Sequence, residues 1–185
     1  MAYAEDTERD KTMKIDKTYE GVRRLENGDY MLDGDLISDG NIEIDLYNTL
    51  FVNGRILAGG NINAKGNIDA FGYIDAGGNI YVGGSITAGA YIFAGSYIYS
   101  CSSISADWNI DACEYISARE YIYACEYIAA GEFIHAREYI AAGEYISARE
   151  YIYTYGNISA GENIKCAEIR KGKIVCGELI IEKGE

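Results

Sequence analysis

The chain predicts an all-β fold, a single-stranded parallel β-helix (β-solenoid), and three observations carry that prediction. An aliphatic residue stands at every sixth position from Ile44 to Ile164, twenty-one times, and only Leu50 among them is not isoleucine. The residue two places further on is small nearly throughout, as at Ala58, Ala64, Ala70, Val82, Ala88, Ser100 and Ala160. No proline occurs in the 185 residues, so nothing removes a donor from a ladder of strands. A short fixed period outranks local propensity, because each unit is stable only when stacked on its neighbours.

The order Ile-x-Ala is strand alternation, with Ile and Ala on one face and the intervening residue on the other. Number the aliphatic residue 0. Position +4 is then Gly in the first half (Gly60, Gly66, Gly72, Gly78, Gly84) and Glu over Glu114 to Glu150. Continued alternation would point those carboxylates inward, which is too costly to hold. The chain must therefore turn near +3 and +4, where Gly is easily accommodated. A helix fails as the alternative: six is not a multiple of 3.6, so the isoleucines would wander around it.

Two coil sizes fit a hexad. Three hexads give an 18-residue triangular coil, and two give a flat 12-residue coil of two sheets. Position +5 recurs better at 18 (Asn61 with Asn79, Tyr73 with Tyr91, Ser85 with Ser103), whereas +3 recurs better at 12 (Cys101, Cys113 and Cys125; Arg137 and Arg149). We favour 18, since the thin core of a flat coil needs disulfides or unusual packing. The regular part then makes about seven coils and a rod of roughly 30 Å at ~4.8 Å per coil.

The elements follow in order. Residues 1–20 are polar and charged and read as a flexible N-terminal arm. Residues 21–43 alternate apolar positions at Tyr30, Leu32 and Leu36 and read as N-terminal cap strands. Residues 44–166 are the regular solenoid. In residues 167–185, Ile169, Ile174 and Leu179 leave the six-residue grid among Lys171, Lys173 and Glu182, which reads as a charged C-terminal cap blunting an open sheet edge.

A net charge of −13 argues against direct nucleic-acid binding, which wants a basic stripe. Met1 is followed by no basic and then apolar stretch, and no apolar run approaches a membrane span, so a cytoplasmic location is expected. Five cysteines in that setting read as free thiols. With 18-residue coils Cys101, Cys113 and Cys125 fall on three different edges and cannot share a metal. No cofactor or metal is expected.

The candidate binding surface is a pair of outward columns. Glu114, Glu120, Glu126, Glu132, Glu138, Glu144 and Glu150 repeat at +4, and Tyr115, Tyr121, Tyr127, Tyr139, Tyr145 and Tyr151 follow them at +5. Stacked coils would align the rings into ladders that stabilise the rod or present a rigid recognition face. Repeated carboxylates either solubilise an edge or dock on a basic partner, with Arg119, Arg137 and Arg149 placed to offset some of the repulsion. No carboxylate differs from its neighbours, which argues against acid–base catalysis. His135, the single histidine, lies at the outward +1 position, and no insertion builds a substrate site around it.

The runs Ala58-Gly-Gly-Asn-Ile-Asn-Ala-Lys-Gly-Asn-Ile-Asp-Ala and Ala76-Gly-Gly-Asn-Ile-Tyr-Val-Gly-Gly-Ser-Ile resemble the hexads of bactofilin-type polymer-forming cytoskeletal proteins and related bacterial parallel β-helices. That resemblance covers about two thirds of the chain and implies a right-handed triangular helix and end-to-end assembly. Hexapeptide acyltransferases match less well, because their small residue lies four places after the aliphatic one. The functional expectation is a non-enzymatic rigid scaffold or self-assembling structural protein, with oligomerisation or a protein partner. An acidic Glu/Tyr-faced binding protein or inhibitor that docks on a basic partner, with a nucleic-acid mimic as one form of it, is the alternative, and a hexapeptide-type acyltransferase is a distant third.

Overall fold

Isoleucine repeats on a strand–corner unit can bury themselves only by coiling, and the computed structural model, which describes residues 11–181, shows that coil. Three parallel ladders run along the rod. The first face stacks Ile62, Ile80, Ile98, Ile116, Ile134 and Ile152 in register. The second stacks Leu50, Ile68, Ile86, Ile104, Ile122, Ile140 and Ile158. The third stacks Ile56, Ile74, Ile92, Ile110, Ile128, Ile146 and Ile164. Partners lie 18 residues apart, so the coil holds three hexads and the 12-residue alternative is excluded. Among the described residues the third face carries nine strands, giving about eight turns.

The core is the repeat itself. Every isoleucine of the three stacks is buried, and so are the alanines two places on. Polar residues at that inward site turn to the corner backbone. Ser100 donates from Oγ to the carbonyls of Gly84 (2.7 Å) and Ser103 (3.1 Å), and Thr154 donates to Glu138 O (3.0 Å). Each is thus satisfied where an unpaired hydroxyl would be costly.

Corners close in two ways. In the N-terminal half, Gly pairs let one rung press on the next: a Cβ on Gly77 would run into the carbonyl oxygen of Gly59. An asparagine ladder runs beside them, with Asn61 N donating to Asn41 Oδ1 and Asn79 N to Asn61 Oδ1, both at 2.8 Å. In the C-terminal half, Glu replaces Gly at +4 and aromatic rings replace Asn at +5.

Both ends depart from the sequence reading. Residues 1–10 of the expected arm lie outside the described residues, but Met13–Ile15 is a strand paired with Ile42–Ile44, and Ile15 is buried. Tyr30–Asp33, Leu36–Ser38 and Ile42–Ile44, in the segment read as N-terminal cap strands, are parallel rungs 20 residues below their partners. A hairpin of Val22–Arg24 with Tyr30–Asp33 is the antiparallel pairing in this region. Likewise the last coil stays in the ladder. It shortens in steps, pairing Ile152 with Ile169, Ile158 with Ile174 and Ile164 with Leu179, which is why it left the hexad grid.

Candidate functional site

An 18-residue coil sorts the outward side chains onto three corners and three faces, and the expected Glu/Tyr surface divides accordingly. Glu114, Glu132, Glu150 and Glu168 stack on the corner between the third and first faces, the amides of the last three each donating to the carbonyl of the Glu below at 2.6, 2.8 and 2.9 Å. Glu126, Glu144, Glu162 and Glu178 stack between the second and third faces (2.7, 2.7 and 2.8 Å). Glu120 and Glu138 form the shorter third set, at 2.8 Å. The single column of seven read along the sequence is therefore three separate acidic ridges.

The arginine compensation expected from the sequence also differs. Among the described residues no ion pair includes Arg119, Arg137 or Arg149; the pairs that form include Arg55–Asp35, Lys65–Asp45 and Arg170–Glu168. Glu120 is held instead by two hydroxyls, accepting from Ser102 Oγ (3.0 Å) and Ser103 Oγ (2.9 Å). Glu168 is paired with Arg170, and Glu114, Glu138, Glu144, Glu150 and Glu162 are exposed.

The aromatic residues do form ladders. Tyr97, Tyr115, Phe133 and Tyr151 make a continuous column on the first face, with ring centroids 4.8 to 4.9 Å apart and interplanar angles of 2°. Tyr121 stacks on Tyr139 (4.9 Å) on the second face. On the third face Tyr73 stacks on Tyr91 (4.7 Å) and Tyr127 on Tyr145 (4.8 Å), with Asn109 on the rung between the pairs. Tyr81 and Tyr99 add a pair at +1 on the first face (5.1 Å).

Two ladders are thus broken, and both breaks are indented. The break at Asn109 is a hollow of about 390 Å³ lined by Tyr91, Phe93, Asn109, Asp111, Tyr127 and Asp75. The other lies at Ser117, between Tyr99 and His135, with Arg119 and Arg137 on its rim and a volume of about 440 Å³. Burial pushes the carboxyls of Asp75 and Asp111 above the usual carboxylate range, and a Tyr91 hydroxyl 3.4 Å from Asp75 partly opposes this. Burial likewise lowers the imidazole of His135, which packs edge-on against Tyr153 at 5.0 Å. None of Asn109, Asp75 and Asp111 was singled out by the hexad pattern; reading position +5 at a spacing of 18 shows the missing ring.

Among the described residues no group of three His, Cys, Asp or Glu side chains could hold a metal ion. Cys101, Cys113 and Cys125 sit on three different corners, as the 18-residue coil requires. No helix of the described residues is long and apolar enough to cross a membrane.

No curated protein and no solved structure matches the chain. The bactofilin resemblance is of the same general kind, a β-solenoid, but the family that matches is a different one. Residues 33–185, most of the coiled rod described above, match the family described as FapA, the Flagellar Assembly Protein A beta solenoid domain, and the chain belongs to that family.

Proposed function

We propose that this chain is a non-enzymatic rigid scaffold that holds partner proteins, or further copies of itself, at fixed positions while a larger structure is built. The observation behind this reading is the uninterrupted lattice: from Ile56 to Ile164 each hexad is strand and corner, with no loop leaving the coil to build a substrate site. What remains for contact is flat faces and straight ridges repeating at one rung. The family name, Flagellar Assembly Protein A, supports an assembly role.

The test changes length without changing shape. Deleting residues 62–79 removes one whole coil, shortening the rod by roughly 4.8 Å and leaving the faces unrotated. Duplicating the same segment lengthens it equally. A spacing scaffold should lose assembly in cells with both variants, though each folds. Normal assembly with both would sink the reading.

A second reading, an acidic binding protein, is favoured by the two ridges of four Glu. Discrete rods at every concentration in electron micrographs, together with salt-sensitive capture of a basic partner, would promote it. Filaments that lengthen with concentration support self-assembly.

A further inference from the structure

The column on the third face shows how this protein finishes a stack of rings. Beneath Tyr73, one rung down, lies Arg55, with Cζ 5.6 Å from the ring centroid and a guanidinium nitrogen 3.0 Å from the Tyr73 hydroxyl. Arg55 is held there by Asp35, whose carboxylate accepts from Nε at 3.0 Å. On the first face Arg170 lies closer over Tyr151, with Cζ 3.6 Å from the centroid, and Glu168 holds it at 3.1 Å. In both places a guanidinium meets the end ring of a column and an acidic residue fixes it; Arg170 sits at stacking distance, whereas Arg55 reaches the hydroxyl end of its ring.

At Asn109 the same column leaves two ring faces open. Tyr91 is stacked parallel to Tyr73 and Tyr127 parallel to Tyr145, so their free faces look at one another across the Asn109 rung. Two rungs separate them, roughly 9.6 Å. Asn109 stands on the rung between, but its side chain is far shorter than a ring, and the space it leaves is the hollow that a flat group can enter at the ring spacing used elsewhere in the column. Asn109 Oδ1 is buried with no hydrogen-bond partner. Other ladder asparagines give that oxygen to the next amide, as Asn61 and Asn67 do. Asn79 Oδ1 is also unpaired, but it has Asn61 below it and no ring pair around it. Asp111 has no hydrogen bond or ion pair among the described residues, although its charge reaches the hydroxyls of Tyr127 and Tyr145.

We infer that the Asn109 gap is a recognition slot for an arginine side chain of a partner protein, whose guanidinium inserts between Tyr91 and Tyr127 and is held by Asp111 and Asn109 Oδ1. Guanidinium suits the slot in three respects. It is flat, it favours aromatic faces, and its forked donors match a carboxylate together with a carbonyl. Lysine has the charge without the plane. The break at Ser117 serves as an internal contrast, since its rim carries arginines and would repel the same group. A protein source fits the openness of the hollow, which is larger than a guanidinium and can take flanking residues, and fits the chain's net charge of −13. This inference does not depend on the scaffold reading: a rod that spaces nothing could still carry the slot.

Isothermal titration with the peptide acetyl-Gly-Gly-Arg-Gly-Gly-amide tests it, with the lysine peptide and free agmatine alongside. Saturable one-to-one binding of the arginine peptide is expected, about tenfold or more tighter than the lysine peptide or agmatine. Asp111→Asn should weaken it about tenfold. Asn109→Tyr fills the gap with a ring and should abolish binding while keeping or raising the melting temperature. No binding to the native protein, equal binding of the arginine and lysine peptides, or binding undiminished in both Asp111→Asn and Asn109→Tyr would each overturn the slot. Agmatine binding as tightly as the peptide would overturn the assignment to a protein-borne arginine.

Discussion

Arg170 lies over the ring of Tyr151, its Cζ 3.6 Å from the centroid, and so closes the column that begins at Tyr97. The contact joins the shortened last coil to the regular rod, at the point where the strand register shifts and isoleucine no longer stacks on isoleucine at 18 residues. Cation–π attraction of about 0.5–1 kcal/mol at such an exposed site matters for a coil in which Val175, Leu179 and Ile181 are exposed and Ile169, Ile174 and Cys176 are only partly buried against the core.

Replacing Arg170 by Ala should therefore loosen the final coil first. Hydrogen exchange of residues 168–181 should quicken while the amides of the central rungs keep their protection, because repeat proteins fray locally. Arg170→Lys should recover little of the loss, since lysine cannot stack. Uniform acceleration along the rod would contradict this account.

The middle of the rod should behave oppositely. Ile116 is wholly buried, and Ile116→Asp puts an unpaired carboxylate between two stacked isoleucines at a cost of about 3 kcal/mol or more. Loss of structure by circular dichroism should be global. At Ser117, on the outward side of the same strand, Asp should be nearly silent. Equal tolerance at both positions would refute the register.

Most of this architecture was legible in the sequence because one repeat both buries the core and makes the strands. The ends were not. Ile15 stands between Lys14 and Asp16, off the hexad grid, and only pairing with Ile42–Ile44 reveals it as core. Ile169 and Ile174 are off the grid because the last coil shortens, yet they remain rungs. The surface was misread for a different reason: glutamates six apart in sequence lie on successive corners, so a linear column becomes three ridges. The Asn109 slot is invisible at a spacing of six and plain at 18. Arg55 precedes Tyr73 by one full coil, whereas the register shift hides the equivalent relation between Tyr151 and Arg170.

Asp69 supplies a pH test away from the slot. Burial raises its folded-state pKa above the unfolded value, so the folded protein binds the proton more readily. The group therefore costs stability as pH rises from the ordinary carboxylate range through the raised value, and the cost persists at neutral pH. Asp69→Asn should melt higher than the native protein at pH 7, and the difference should vanish near pH 3, where both states of the native protein are protonated. His135 acts in the other direction. Its lowered pKa means that stability falls as pH drops through the unfolded value and levels off below the folded one. A native melting curve that shows an acid-side loss absent in His135→Phe would confirm the sign.

The ridges give the last prediction, and it separates repulsion from recognition. Glu126, Glu144 and Glu162 are consecutive on one corner, with backbone hydrogen bonds of 2.7 Å fixing them at rung spacing. Like charges that close in water repel by about 1 kcal/mol per pair before screening. Changing these three to Gln should raise the melting temperature at low salt, and the gain should shrink at high salt as the native ridge is screened. The same change to Glu120 and Glu138 should gain less, because that ridge is shorter and the Ser102 and Ser103 hydroxyls already hold Glu120. If a basic partner docks on the long ridge, the triple variant should bind it more slowly and with a flatter salt dependence, since charge acts mainly on the association rate. A stability gain with partner binding unchanged at both salts would leave the ridge as a solubilising edge and remove the acidic-docking reading.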